Sequence, residues 1–236
     1  TASKFPLKTG RECAKTAFMT DIQKIALVTG ASRGLGYATA LQLSNDGYHI
    51  VAVARTMGGL EELADVIEGN DKTITVAAMD VTNEQNLQQL CRSIYDRWGN
   101  IDLWVHAAVH AAPLTPAAHI DAKDWAKSMS INATSMGTLI PYVSPLLGEA
   151  GTAMFFDDQT VGGKFHGSYA ASKAAQITLA RAWAAESANT GPRVLIETPP
   201  AMSTATRARF HPGEDRDALT HPRDVAAALL PKLLDV

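Results

Sequence analysis

Short apolar runs alternate with helical patterns along most of this 236-residue chain, and that alternation constrains the fold more than any other feature. The runs lie at 24–30 (KIALVTG), 48–54 (YHIVAVA), 73–79 (TITVAAM), 101–107 (IDLWVHA), 152–156 (TAMFF) and 193–198 (RVLIET). A strand wetted on one face would alternate polar and apolar residues. These runs scarcely do, so they are expected to be buried on both faces of a parallel sheet. Between them lie amphipathic segments. The clearest is 83–98, where Leu87, Leu90, Cys91, Ile94 and Trp98 share one helical face. On that face Cys91 reads as a small core residue rather than a reactive thiol. Asn45-Asp46-Gly47 supplies a helix stop, with glycine at the left-handed position. A β-α-β-α alternation of this length predicts an α/β fold, a single doubly wound parallel sheet of about six strands.

The length suits one ordinary domain. Hydrophobic residues at 46% and charged residues at 19% are those of a globular chain. Lys and Arg number 21 against 24 Asp and Glu, a net charge of −3. That leaves no basic footprint for a phosphate backbone, so nucleic acid is not an expected partner. No apolar run approaches the ~20 residues a membrane helix needs, so no membrane is expected either. Cys13 and Cys91 form no CxxC and no metal-type pairing, which points to a reducing, cytoplasmic setting without a metal. Residues 1–20 carry Lys4, Lys8, Arg11 and Lys15 against Glu12, a pattern that an organellar transit peptide would share. The preferred expectation is that residues 1–23 are an extension, disordered or a remnant of targeting or expression. Met19 is then a candidate natural start, and 24–236 is the folded domain.

The first apolar run leads into Thr29-Gly30-Ala31-Ser32-Arg33-Gly34-Leu35-Gly36 and then a helical segment. Gly30 permits a tight turn, Gly34 lets the backbone approach a pyrophosphate, and Gly36 lets the helix lie close to the strand. The helix N-terminus then offers free N–H groups and a positive dipole end to phosphates. A glycine triplet alone is a weak signal, but here it stands between a strand and a helix, the context a dinucleotide site needs. Ser32, Arg33 and Leu35 complete the loop as candidate nucleotide contacts. The second run ends at Ala54-Arg55. A carboxylate there would accept hydrogen bonds from the ribose hydroxyls and select NAD, whereas arginine accommodates a 2′-phosphate. With no acid at 53–55, and Arg33 as a second cation, NADP(H) is expected ahead of NAD(H).

The spacing TGxxxGxG, with Asn132 in SINAT and Tyr169-Ala170-Ala171-Ser172-Lys173, resembles the short-chain dehydrogenase/reductase family from about Lys24 to the end of the chain. The resemblance implies a Rossmann-like domain that moves hydride between a nicotinamide and a carbonyl or secondary alcohol of a small molecule. It implies that Asp80 holds the adenine amino group beside Val81, and that Tyr169 exchanges a proton with the substrate oxygen. Lys173 would also hold the nicotinamide ribose, and Asn132 would order a water behind it. Tyr169 and Lys173 stand i, i+4, on one helical face. A free tyrosine, with a pKa of ~10, is a sluggish acid or base near neutrality. A neighbouring ammonium favours tyrosinate and moves that pKa toward working pH.

Several positions depart from the family. Its serine, which donates to the substrate carbonyl, belongs on the loop after the fifth strand. Here the loop reads Phe156-Asp157-Asp158-Gln159-Thr160-Val161-Gly162-Gly163, with no serine before Ser168. Gln159 or Thr160 falls at the serine position, and either is able to donate. Loss of one such donor costs on the order of 10²–10³ in rate. Ser168, adjacent to Tyr169 on a helix, should point elsewhere. On the fourth strand His106-Ala107-Ala108-Val109 stands for Asn-Asn-Ala-Gly, so Val109 is expected to crowd the cofactor. His106 and His110 lack companions at ligand spacing and read as packing or pocket-lining residues. Pro200 replaces the glycine of an Asn-Pro-Gly turn, and Thr204 is expected to bond the nicotinamide carboxamide.

Residues 202–220 correspond to a substrate lid. Its Arg207, Arg209, His211 and Arg216 would suit an anionic substrate or simply form a solvated face. Thr220 is the expected N-cap of the last helix, with Pro222 in its first turn. Two functions emerge. One is an NADP(H)-dependent carbonyl reductase or alcohol dehydrogenase with Tyr169, Lys173, Asn132 and Gln159 or Thr160 in its site. The other is a catalytically impaired NADP(H)-binding protein with a sensing or regulatory role, suggested by the missing serine, asparagine and glycine. The family's final strand has no counterpart here, so a homodimer through the helices at 132–147 and 169–188 is expected.

Overall fold

The computed structural model describes residues 8–9, 23–158 and 163–234. Its sheet has a two-residue strand β1 (Lys8–Thr9) and six longer ones. These are β2 (Ile25–Thr29), β3 (His49–Ala54), β4 (Ile74–Ala78), β5 (Leu103–His106), β6 (Thr152–Phe156) and β7 (Arg193–Glu197). The order is β1-β4-β3-β2-β5-β6-β7. The pairs from β4 through β7 are all parallel, giving the expected six parallel strands. β1 adds an antiparallel pair, with Lys8 opposite Val76 and Thr9 opposite Thr75. It belongs to the expected N-terminal extension. Gln23, at the other end of that extension, is also described and donates to Thr73 Oγ1 at 2.9 Å; residues 1–7 and 10–22, including Cys13 and Met19, lie outside the described residues.

The unbroken apolar runs are explained by cores on both faces of the sheet. Ile25, Leu27, Val51 and Val53 pack on one face against α3 (Glu84–Trp98), α5 (Ser135–Leu147) and α6 (Gly167–Glu186), through Leu87, Leu90, Ile94, Leu139, Val143 and Ile177. The alternate residues Ala26, Val28, Ile50 and Ala52 face α1 (Gly34–Asn45), α2 (Gly58–Glu68) and α8 (Pro222–Leu234), meeting Leu43, Leu60, Leu63 and Leu230. Trp104, Phe155 and Trp183 pack mutually, with the ring centroids of Phe155 and Trp183 5.3 and 6.2 Å from that of Trp104. Full burial of large side chains like these contributes about 1.5–3 kcal/mol each.

Local signals set the helix ends. Asn83 caps α3 by accepting from Asn86 N at 3.0 Å, and Gly47 takes the left-handed conformation (φ +91°) after α1. The expected cap of the last helix moves by one residue. Pro222 opens α8, so its missing N–H falls where no helical bond is needed. The side chain of His221, not Thr220, accepts from Arg223 N. Between β5 and α5 the chain forms α4 (Ala122–Ser128) and then a π turn, Met129–Thr134, that runs directly into α5. Asn132 therefore sits on a wide helical turn and not at the start of an α-helix. A short helix, α7 (Ala205–Phe210), lies in the segment expected to form the lid.

Candidate active site

The chain leaves β2 toward β3 and β4 on one side and later continues from β5 to β6 and β7 on the other. The crevice outside the ends of β2 and β5 is thus the topological switch point, where doubly wound sheets bind ligands. Gly30 ends β2 with φ +88°, and a Cβ there would lie 2.5 Å from Ala108 N and 2.6 Å from Ala107 C. Only glycine lets the loop pass so close to β5. At Gly36 a Cβ would clash with the carbonyl oxygen of Gly30, so the helix is seated directly on the loop. Arg33 is the extended N-cap of α1, and its side chain caps nothing, which leaves first-turn N–H groups available to an anion.

Ser32, Arg33, Gly34, Leu35, Arg55, Asp80 and Val81 line the same cleft as Tyr169, Lys173 and Thr204. One Asp80 oxygen accepts from Thr82 N at 2.9 Å and Thr82 Oγ1 at 2.8 Å, fixing the turn after β4. A glycine cradle, an uncapped helix end and two arginines in one crevice fit a phosphorylated dinucleotide. Val109 also lines the cleft, as its replacement of a glycine suggests.

α6 carries Tyr169 and Lys173, only 4% and 6% exposed, into the opposite wall. Tyr169 Oη donates to Asp158 Oδ2 at 2.6 Å. Gln159 and Thr160, the expected substitutes for the serine, lie outside the described residues. Among the described residues it is Asp158 that meets the tyrosine. An ionised carboxylate there only accepts hydrogen bonds, where the family's serine donates one. Burial, then the charges of Asp158 and Asp157, push the Tyr169 pKa above its ordinary value. That is opposite to the lowering expected from Lys173. Burial lowers Lys173 to about 8, against the pull of the same two carboxylates. Asp157 also pairs with Arg181 at 3.0 Å.

Asn132 is fully buried and holds several elements together. Its Oδ1 accepts from His110 N at 2.6 Å, and Nδ2 donates to His110 O and to Ser172 Oγ, each at 2.9 Å. Its backbone oxygen accepts from Gln176 Nε2 at 3.0 Å, and Gln176 Oε1 accepts from Lys173 Nζ at 2.5 Å. A side chain therefore spans the interval where the resemblance calls for a water. His106, at the end of β5, bonds Thr29 Oγ1 through Nδ1 at 2.8 Å. Burial, aided by the charge of Lys173, lowers it to about 3, so it packs as a neutral ring in the cleft wall.

Two of the lid cations are engaged within the protein. Arg207 makes a bidentate pair with Glu214 at 2.7 and 2.6 Å, and Arg209 Nη1 donates to Ala111 O at 2.7 Å. Phe210 packs its ring 4.8 Å from both Tyr169 and His166, joining α7 to α6. Thr204 lines the cleft and also caps α7, its Oγ1 accepting from Arg207 N at 3.2 Å. Sequence reasoning missed Gln176, although its i, i+3 spacing from Lys173 was a readable signal. It left open which of Asp158, Gln159 and Thr160 stands beside Tyr169, because loop length alone could not say.

The fold and cleft are those of a nicotinamide-dependent oxidoreductase of Rossmann type. The family described as short chain dehydrogenase matches residues 24–215. D-threitol dehydrogenase from Mycolicibacterium smegmatis is 30% identical over 218 residues, covering 87% of this chain and 84% of its own. A short chain dehydrogenase from Shigella flexneri, solved in complex with NADP, superposes with a TM-score of 0.79 at 28% identity, covering 85% of this chain and 87% of its own. One from Escherichia coli CFT073, complexed with NADPH, gives a TM-score of 0.79 at 26% identity over 88% and 89% of the two chains. This chain belongs to the short-chain dehydrogenase/reductase family.

Proposed function

We propose that this protein is an NADP(H)-dependent oxidoreductase acting on a carbonyl or secondary alcohol of a small molecule. The observation that carries the reading is the burial of Tyr169 and Lys173 in one wall of the cleft whose other wall is the glycine loop. When bound, the dinucleotide supplies or accepts hydride at the substrate carbon. Gly30, Gly34 and Gly36 with Ser32 and Leu35 would cradle its pyrophosphate. Arg33 and Arg55 would hold the 2′-phosphate that distinguishes NADP(H) from NAD(H), Asp80 and Val81 the adenine, and Thr204 the carboxamide. Tyr169 gives its proton to the substrate oxygen in reduction and takes it back in oxidation. Lys173 supports that transfer electrostatically, and Asn132 fixes the turn behind it. Gln159 and Thr160 remain candidates to polarise the carbonyl.

The contact with Asp158 supports a second reading, a catalytically impaired NADP(H)-binding protein with a sensing or regulatory role. While Tyr169 donates to an ionised Asp158 its proton is not available to a carbonyl. A single pair of measurements separates the two. NADPH binding is followed by its fluorescence, and NADPH oxidation is followed across a panel of aldehydes and ketones, in wild type and Tyr169→Phe. Binding in both proteins with turnover only in wild type supports the oxidoreductase. Tight binding without turnover on any carbonyl supports the sensor.

A cytoplasmic homodimer completes the proposal, and α6 supports it. Its outward face exposes Ala171, Ala174, Ala175, Thr178 and Leu179, small and apolar enough to pack on a second copy.

A further inference from the structure

Gln176 is 1% exposed and follows Lys173 by three residues on α6. Both ends of its amide are used, Oε1 by Lys173 Nζ and Nε2 by the carbonyl of Asn132. That carbonyl belongs to the π turn, where a wide turn releases backbone groups from the ordinary helical ladder. We propose that Gln176 is a positioning residue, whose amide ties the Lys173 ammonium to the Asn132 carbonyl and keeps that lysine charged within the cleft wall. The proposal rests on the reading of Tyr169 and Lys173 given above.

A buried ammonium needs acceptors, because desolvation favours the neutral amine. The charged groups facing Lys173 are Asp158 and Asp157 beyond β6, which favour its charge. His106 faces it from β5 as a neutral ring, and Tyr169 stands one turn earlier on α6. Gln176 contributes an acceptor from the helix side. An amide suits this task in a way a hydroxyl does not. It accepts at oxygen and donates at nitrogen, so it cannot turn round to offer the ammonium a proton without losing the Asn132 carbonyl. It also carries no proton onward unless it passes through its imidic tautomer. The lysine is therefore held by Gln176, and proton exchange at Tyr169 proceeds from the cleft.

The test is made on the full chain carrying Gln176→Leu or Gln176→Glu. The ionisation of Lys173 is followed by NMR in protein labelled at lysine Cε, with Lys173→Arg identifying the signal. Relative to wild type, the midpoint should fall by about one pH unit or more in Gln176→Leu, and rise in Gln176→Glu, whose carboxylate favours the ammonium. The alkaline limb of NADPH-dependent turnover should move in the same order. An unchanged Lys173 midpoint in a Gln176→Leu protein that still binds NADPH would overturn the proposal and leave Gln176 as packing. Should the leucine variant fail to fold, no upward movement in Gln176→Glu overturns it equally. The titration reads the lysine directly, so it stays informative even if wild type reduces no carbonyl.

Discussion

At 2.6 Å, the hydrogen bond from Tyr169 to Asp158 places an acceptor where carbonyl reduction calls for a donor. Replacing the carboxylate by a hydroxyl reverses that polarity and removes the charge that raises the Tyr169 pKa. Asp158→Ser should therefore raise kcat/KM for carbonyl reduction by ~10-fold or more, a fraction of the 10²–10³ that one well-placed donor supplies. Steady-state kinetics on the best carbonyl of the panel would check this, and a fall would show that Asp158 itself assists the reaction. Tyr169, Lys173, Asn132 and the three loop glycines were legible in the sequence, because each lies in a short motif whose spacing fixes its geometry. Asp158 was not, because its meeting with Tyr169 depends on how the chain turns after β6, and no local spacing encodes that turn. Gln176 was legible only as a helical neighbour of Lys173; its second bond, to a residue 44 positions away, was not.

The ends of β2 and β5 carry the next two expectations. A methyl group at Gly30 would meet the backbone of Ala107 and Ala108, atoms that no side-chain rotation can move aside. Gly30→Ala should cost roughly 1–3 kcal/mol from the strained conformation alone, and more from the clash, together with loss of NADPH binding. Denaturant melts and fluorescence titration would measure both. His106 joins the same strand ends through Thr29. Its folded pKa, about 3, lies below the ordinary value of 6.5, so the unfolded chain binds the proton more readily. The stability this contributes is complete above pH 6.5 and is lost as pH falls toward 3, by about 1.4 kcal/mol per pH unit. His106→Asn, which cannot titrate, should lose less stability between pH 7 and pH 5 than wild type does, read as the change in Tm. Both strands were evident as apolar runs. The runs overshot the strands by one or two residues, since residues such as Gly30 and Ala107 are apolar or small for the sake of the cleft.

Across the whole molecule, the alternation of strands and helices was enough to anticipate one doubly wound sheet, because two buried faces demand unbroken apolar strands. β1 was not anticipated: two residues, Lys8 and Thr9, carry no apolar pattern from which an antiparallel pairing with β4 could be read. The proposed homodimer also belongs to this scale. Ala175→Arg places a charge on the outward face of α6, away from the cleft. It should convert a dimer to a monomer in light scattering with nucleotide binding retained; a wild-type monomer would remove the dimer. The π turn at Met129–Thr134 has a consequence for how this protein tolerates change in length. Deleting one residue there would let α4 run into α5 on an even ladder. It would also rotate one helix against the other by about 100°, the angle of a single residue. Asn132 could not then face both His110 and Gln176. A shortened chain would gain helical regularity and lose the alignment of Asn132 with its partners, so this turn is vulnerable to a deletion that an ordinary surface helix would absorb.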